Sequence, residues 1–86
     1  MILNIAAYQF TSIDDSSALA KQLHASAERA GLLGTVLIAE EGINLFLAGE
    51  PVAIRQFLSE LRSDPRFVDI QVKESRSEMQ PFARLK

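Results

Sequence analysis

Eighty-six residues with 48% apolar content make one small domain, and a chain this short buries only roughly 60–65% of its unfolded surface, so several elements must share one core. The absence of cysteine excludes disulfides, thiolate catalysis and cysteine metal sites within these residues. A formal net charge of −2 argues against strong non-specific binding of nucleic acid, which depends on Lys and Arg displacing counterions.

That charge is unevenly spread. Residues 1–61 hold three basic side chains, Lys21, Arg29 and Arg55, against seven acidic ones, whereas residues 62–86 hold six against four. The C-terminal quarter can therefore face a phosphate backbone, although an ordinary solvated tail is the simpler reading. The first residues lack a basic run and Asn4 interrupts their apolar stretch, so neither a signal peptide nor a membrane span is expected. The expected compartment is the cytoplasm, with no membrane partner.

In chain order, residues 2–10 read as a first strand with Leu3, Ile5 and Ala7 on one side. Ile2, Ala6, Tyr8 and Phe10 lie on the other side with Asn4, and apolar residues on both faces mark a central strand. Thr11 to Asp15 form a loop in which Asp14, Asp15 or Ser16 can accept the first free N–H groups of a helix. Leu19, Ala20, Leu23, Ala27 and Ala30 recur at helical spacing, and Gly31 supplies a stop. Two short apolar runs, Val36 to Ala39 and Ile43 to Leu47, then flank Glu40-Glu41-Gly42. This predicts a β-hairpin whose glycine accepts the positive φ of a tight turn.

A second helix begins at Glu50-Pro51, where a missing N–H costs nothing, and buries Ile54, Phe57, Leu58 and Leu61. Asp64-Pro65 ends it. Phe67 to Lys73 reads as the last strand, with Val68, Ile70 and Val72 alternating against polar residues as on an edge strand with one wet face. The domain is expected to span residues 1–74, with 75–86 an extended tail or linker. The order βαββαβ, with right-handed crossovers, predicts an α+β ferredoxin-like (acylphosphatase-like) sandwich. Its antiparallel sheet carries two helices on one face, and the first and third strands are central.

Each candidate chemistry meets a plainer reading. Acylphosphatases need an arginine in the loop after the first strand, but here that loop holds Asp14 and Asp15 and no base, so an anion would be repelled. RNA-recognition domains stack bases on aromatics of the two central strands. Tyr8, Phe10 and Phe46 fit that placement, but the lysine and arginine that normally flank such aromatics are missing, which favours rings that cover the open sheet face or pack against another domain. Glu40 and Glu41 point in opposite directions in an extended segment and read as turn solubility. Asn44 reads as bonding the hairpin backbone, and His24 as a helix-surface residue. Neither a phosphate loop nor a nucleophile triad is present, and neither cofactor nor metal is expected.

The hairpin carries a family resemblance. Ala39-Glu40-Glu41-Gly42-Ile43-Asn44, followed by Leu47-Ala48-Gly49, resembles the A-x-E-G-I-N…[LIV]-[AS]-G signature of rhodanese-related proteins (UPF0176-like). These are the bacterial tRNA uridine hydroxylases and their sulfurtransferase relatives. Ala7-Tyr8-Gln9-Phe10 and Pro81 to Lys86 are similar to the same family's equivalent segments. The resemblance implies a non-catalytic N-terminal accessory domain, followed in the parent chain by a rhodanese-like domain with a catalytic cysteine. It leaves hydroxylation and sulfur transfer both open for the parent. Help in binding tRNA, or docking on the rhodanese-like domain, would fall to the open sheet face (Tyr8, Phe46, Asn44) and the basic tail (Arg76, Arg84, Lys86). The alternative is a stand-alone ferredoxin-like binding or oligomerisation module, and the oligomeric state is left open.

Overall fold

The computed structural model describes all residues, Met1 to Lys86. The elements are β1 (Ile2–Phe10), α1 (Ser16–Arg29), β2 (Leu33–Ala39), β3 (Gly42–Gly49), α2 (Pro51–Arg62), a 3-10 turn (Pro65–Phe67) and β4 (Gln71–Ser77). The strands form one antiparallel sheet in the order β2-β3-β1-β4, so the two strands with apolar residues on both faces are the central ones. Both helices cover the same face. Leu19, Leu23 and Ala27 of α1 and Ile54, Phe57, Leu58 and Leu61 of α2 are buried there, against Leu3, Ile5 and Ala7 of β1 and Ile43, Leu45 and Leu47 of β3. At the end of α1, Gly31 takes φ 73°, and the N–H groups of Gly31 and Leu32 close back on Glu28 and Ala27. It is the glycine stop expected there.

Gly42 differs from expectation. The turn itself is Glu40-Glu41, and Gly42, which has the expected positive φ (158°), is the first residue of β3 and not part of the turn. Glycine is required there by proximity: a Cβ would lie 2.4 Å from the Gln9 carbonyl oxygen. The close approach of β1 and the positive φ both call for glycine here.

The last strand begins four residues later than its alternation suggests. Asp64 accepts a hydrogen bond from the Arg66 N–H at 2.9 Å and Pro65 fixes the next φ, so the chain curls into a helical turn instead of extending. Phe67 is thereby carried into the core and Val68 outward, while Ile70 and Val72 still face the helices. Both changes correct the expected strand of 67–73.

Arg66 ties this turn to the start of α1. Its guanidinium lies 2.6 Å from Asp15 and 2.7 Å from Asp64, and it sits over the Phe67 ring at 5.5 Å. Asp15 therefore faces Arg66 and makes no side-chain cap on α1. Hydrogen bonding to Arg66 holds both carboxyls below their ordinary 3.8. Acid is thus taken up first by the unfolded chain, and a stabilisation complete at neutral pH fades as pH falls below about 4. Arg66→Gln should melt at a lower temperature than the natural chain at pH 7, with the gap narrowing steadily down to about pH 2. A gap indifferent to pH would show that the network contributes no linked stability.

Residues 75–86 are expected from the sequence as an extended tail or linker beyond a domain ending at 74. Instead, 75–77 complete β4, paired with β1, and 78–86 cross the sheet face opposite the helices as a strap. Gln80 donates from its amide to the Ala48 carbonyl at 2.9 Å, and Pro81 and Phe82 lie beside Asn4, Ala6 and Phe46. The chain then pairs in parallel with the outer edge of β2. Gly34 donates to Arg84, Lys86 donates to Gly34 and Val36 donates to Lys86, at 2.7–2.9 Å. Leu85 reaches the core. One edge of the sheet is thus covered from within the chain. The other, β4, is studded with Lys73, Glu74 and Arg76, which discourages pairing with another strand.

Candidate functional site on the open sheet face

The face opposite the helices is built from the alternate residues of each strand. Strand pairing sets them in rows. Phe46, Ala6 and Lys73 lie side by side, and the next row holds Leu37, Asn44, Tyr8 and Gln71. Tyr8 (61% exposed) and Phe46 (45%) are diagonal neighbours on adjacent strands. Phe10 extends the platform, its ring set edge-on to Tyr8 at 6.2 Å and 78°. Large exposed side chains grouped on one face make this the candidate interaction surface of the domain.

Polar groups are interleaved with the rings. Asn44 stands directly opposite Tyr8 on β3, exposed, and its side chain takes no part in the backbone pairing of the hairpin. The expected backbone-bonding role is therefore not what the structure gives it. Gln71 flanks Tyr8 from the other side. Lys73 closes a shallow depression of about 240 Å³ with Tyr8, Asn44, Phe46 and Gln71. A second depression of about 270 Å³, towards the hairpin, is walled by Tyr8, Phe10 and Leu37 and bounded by Glu41.

Lys73 is the residue that sequence reasoning missed. In sequence it lies far from both Tyr8 and Phe46; it reaches them because β4 pairs with β1 and sets Lys73 opposite Ala6. The available signal was its position on the wet side of the last strand. It is the one charged residue that the four strands present to this face, and no carboxylate is among them.

The other expected site residues divide. Arg76 shares the parity of Val72 and Glu74, pairs with Leu3, and so lies on the helix side, away from Tyr8 and Phe46. Glu74 on that side pairs with Arg55 of α2 at 3.3 Å. Arg84 and Lys86 flank Leu85 in the extended strap. Since Leu85 turns to the core, alternation sets both on the side of the open face, along β2.

The loop between β1 and α1 has a different character. The N–H groups of Thr11 and Ile13 already donate to the carbonyls of Glu41 and Glu40, at 3.1 and 2.9 Å. The nearest guanidinium, Arg66, is held between two carboxylates. An incoming phosphate would meet Asp14 and Asp15 with neither a spare cation nor those two amides.

An antiparallel βαββαβ sandwich with two helices on one face defines an acylphosphatase-like domain. Its likeness to acylphosphatase from Bacillus subtilis (TM-score 0.73, 19% identity, 99% of this chain and 96% of that one) concerns the fold alone. Residues 2–86 match the family described as the UPF0176 acylphosphatase like domain, and the chain belongs to that family. It is 57% identical over 84 residues to a tRNA uridine(34) hydroxylase of Variovorax paradoxus, covering 98% of this chain and 32% of that protein. Against the tRNA uridine(34) hydroxylase of Xanthomonas euvesicatoria the identity is 54% over 86 residues, covering 100% and 35%. The chain thus spans about a third of the length of these curated relatives. No helix is long and apolar enough to cross a membrane.

Proposed function

We propose that this domain is a non-catalytic accessory part of an enzyme that modifies uridine at the wobble position of tRNA. In this reading it positions substrate through its open sheet face, and the chemistry belongs to a rhodanese-like domain of the same polypeptide. The observation that carries it is the exposed aromatic and amide surface around Tyr8 and Asn44, in a chain similar along its length to tRNA uridine(34) hydroxylases. The loop that would hold a phosphate for acylphosphatase chemistry has carboxylates in its place, which supports a non-catalytic role. A cytoplasmic location follows from a tRNA substrate.

The test is nucleoside mass spectrometry of bulk tRNA from cells lacking the gene, scored for both hydroxylated and thiolated uridine. Loss of one of these marks is expected. The gene is then restored whole, or with residues 1–86 removed, or as residues 1–86 alone. Only the whole gene should restore the mark fully. Full recovery without residues 1–86 would remove the accessory role, and unchanged nucleosides after deletion would remove the tRNA assignment. An antibody to this domain should detect a polypeptide several times 9.5 kDa; a product of that mass alone would count against the reading.

A further inference from the structure

We propose that the open face binds unpaired nucleotides of RNA, with bases stacked on Tyr8 and Phe46 and an adjoining phosphate held by Lys73. This rests on the tRNA-directed reading above and names the part of the RNA that the face takes. Three features of the surface select this occupant.

The first is geometry. Tyr8 and Phe46 are diagonal neighbours across adjacent strands, about 7–8 Å apart along the sheet. Their rings are available to planar partners, and stacking tolerates any base because every base has a π-face. A duplex, with its bases already stacked and its edges turned inward, offers no such plane to a flat sheet.

The second is charge complementarity. In a chain of net charge −2, the strand residues of this face include Lys73 and no carboxylate. Arg84 and Lys86 add positive charge along the β2 side, and the acidic pair Glu40-Glu41 is confined to the hairpin tip. A phosphate chain is thus drawn towards Lys73 and the two strap cations and away from the tip. An acidic partner without rings would gain from the cations but would leave the aromatics in water.

The third is the polar groups between the rings. Asn44 flanks Tyr8 on β3 and Gln71 flanks it on β4. A carboxamide offers both a donor and an acceptor, suited to the edge of a base lying on the tyrosine. A purely apolar protein partner would bury both amides unpaired, at a cost in binding.

The chain has one tyrosine and no tryptophan, so its intrinsic emission reports on Tyr8 alone. The experiment titrates the 86-residue chain with a uridine-rich single-stranded heptamer carrying a dye, reading dye anisotropy for binding and the Tyr8 lifetime for stacking. Single-stranded RNA should shorten the lifetime, and a duplex of the same length should bind far more weakly. Tyr8→Leu and Phe46→Ala should each weaken binding about tenfold or more, while Tyr8→Phe keeps the ring and the affinity. Lys73→Gln should reduce the slope of log affinity against log salt by about 0.7. Arg76→Gln, on the helix side, should leave affinity and slope unchanged. Amide NMR spectra matching the natural chain show that each variant is folded.

An unchanged Tyr8 lifetime at saturating RNA overturns the proposal, as does equal affinity for the duplex. So does an Arg76→Gln effect equal to that of Lys73→Gln. If sedimentation shows the chain associating with itself through this face in competition with RNA, the face is a protein interface and the proposal falls. Any of these outcomes beside a positive nucleoside analysis would overturn the nucleotide platform, and with it the open face as the surface that positions substrate. The accessory role in a tRNA-modifying enzyme would be left standing.

Discussion

Gly34→Ala is expected to lower the unfolding free energy by about 3 kcal/mol or more, a large part of what an 86-residue domain possesses. Gly34 sits at φ 133°, and a Cβ there would lie 1.8 Å from the Phe46 carbonyl oxygen and 2.8 Å from its carbon. Both atoms are backbone of a central strand, so neither can move without breaking the β2–β3 pairing. On its other side Gly34 exchanges two backbone hydrogen bonds with the strap, at 2.9 Å to Arg84 and 2.8 Å from Lys86. The residue is pressed between β3 and the C-terminal segment, and only the absence of a side chain lets both approach. Urea unfolding followed by far-ultraviolet circular dichroism measures the effect. The same substitution at Gly31, with nothing within 4 Å of its Cβ, meets only the φ 73° penalty and should cost about 1–2 kcal/mol. Equal costs at the two positions would show that the crowding at Gly34 has no energetic weight.

The contrast between these glycines shows where local sequence ends. Gly31 follows a helical apolar stripe and can be recognised as its stop from that pattern alone. Gly34 and Gly42 are glycines because of backbone that arrives from elsewhere, from Phe46 and from Gln9. For Gly34 nothing within several residues carries that information, whereas the positive φ of Gly42 is legible from its place beside Glu40-Glu41. The strap is a stronger case. Three residues pair with β2 in parallel, too few for any periodicity, and Leu85 is the sole apolar side chain they send to the core.

The open face was legible in the same partial way. Two-residue alternation in β1 and β3 sorts Tyr8 and Phe46 from Leu3 and Leu45 without any tertiary knowledge. Lys73 and Arg76 needed the register of β4. Three residues apart on a strand, they must face opposite sides, so at most one of them can join the aromatics. The pairing of Ala6 with Lys73 and of Leu3 with Arg76 decides which one. A basic segment read by composition treats the two alike; the pleat does not.

The segment after α2 gives the second large effect, and it separates two readings of the same residues. As a strand from 67 to 73, Val68 would be core and Phe67 would be wet. In the structure Phe67 is 0% exposed and Val68 is 57% exposed. Phe67→Ala should therefore cost about 3–5 kcal/mol, the range for deleting a buried aromatic ring, and should leave the domain marginally folded. Val68→Ala should change stability by no more than about 0.5 kcal/mol. The cause is the Asp64 side chain, which accepts the Arg66 N–H and starts a helical turn where alternation alone would extend the chain. Asp64→Ala removes that acceptor and one partner of Arg66 together, so it should destabilise the chain while leaving Phe67 as the costly position. Denaturant midpoints of the three variants decide the matter. A Val68→Ala loss exceeding that of Phe67→Ala would restore the extended strand and refute the turn.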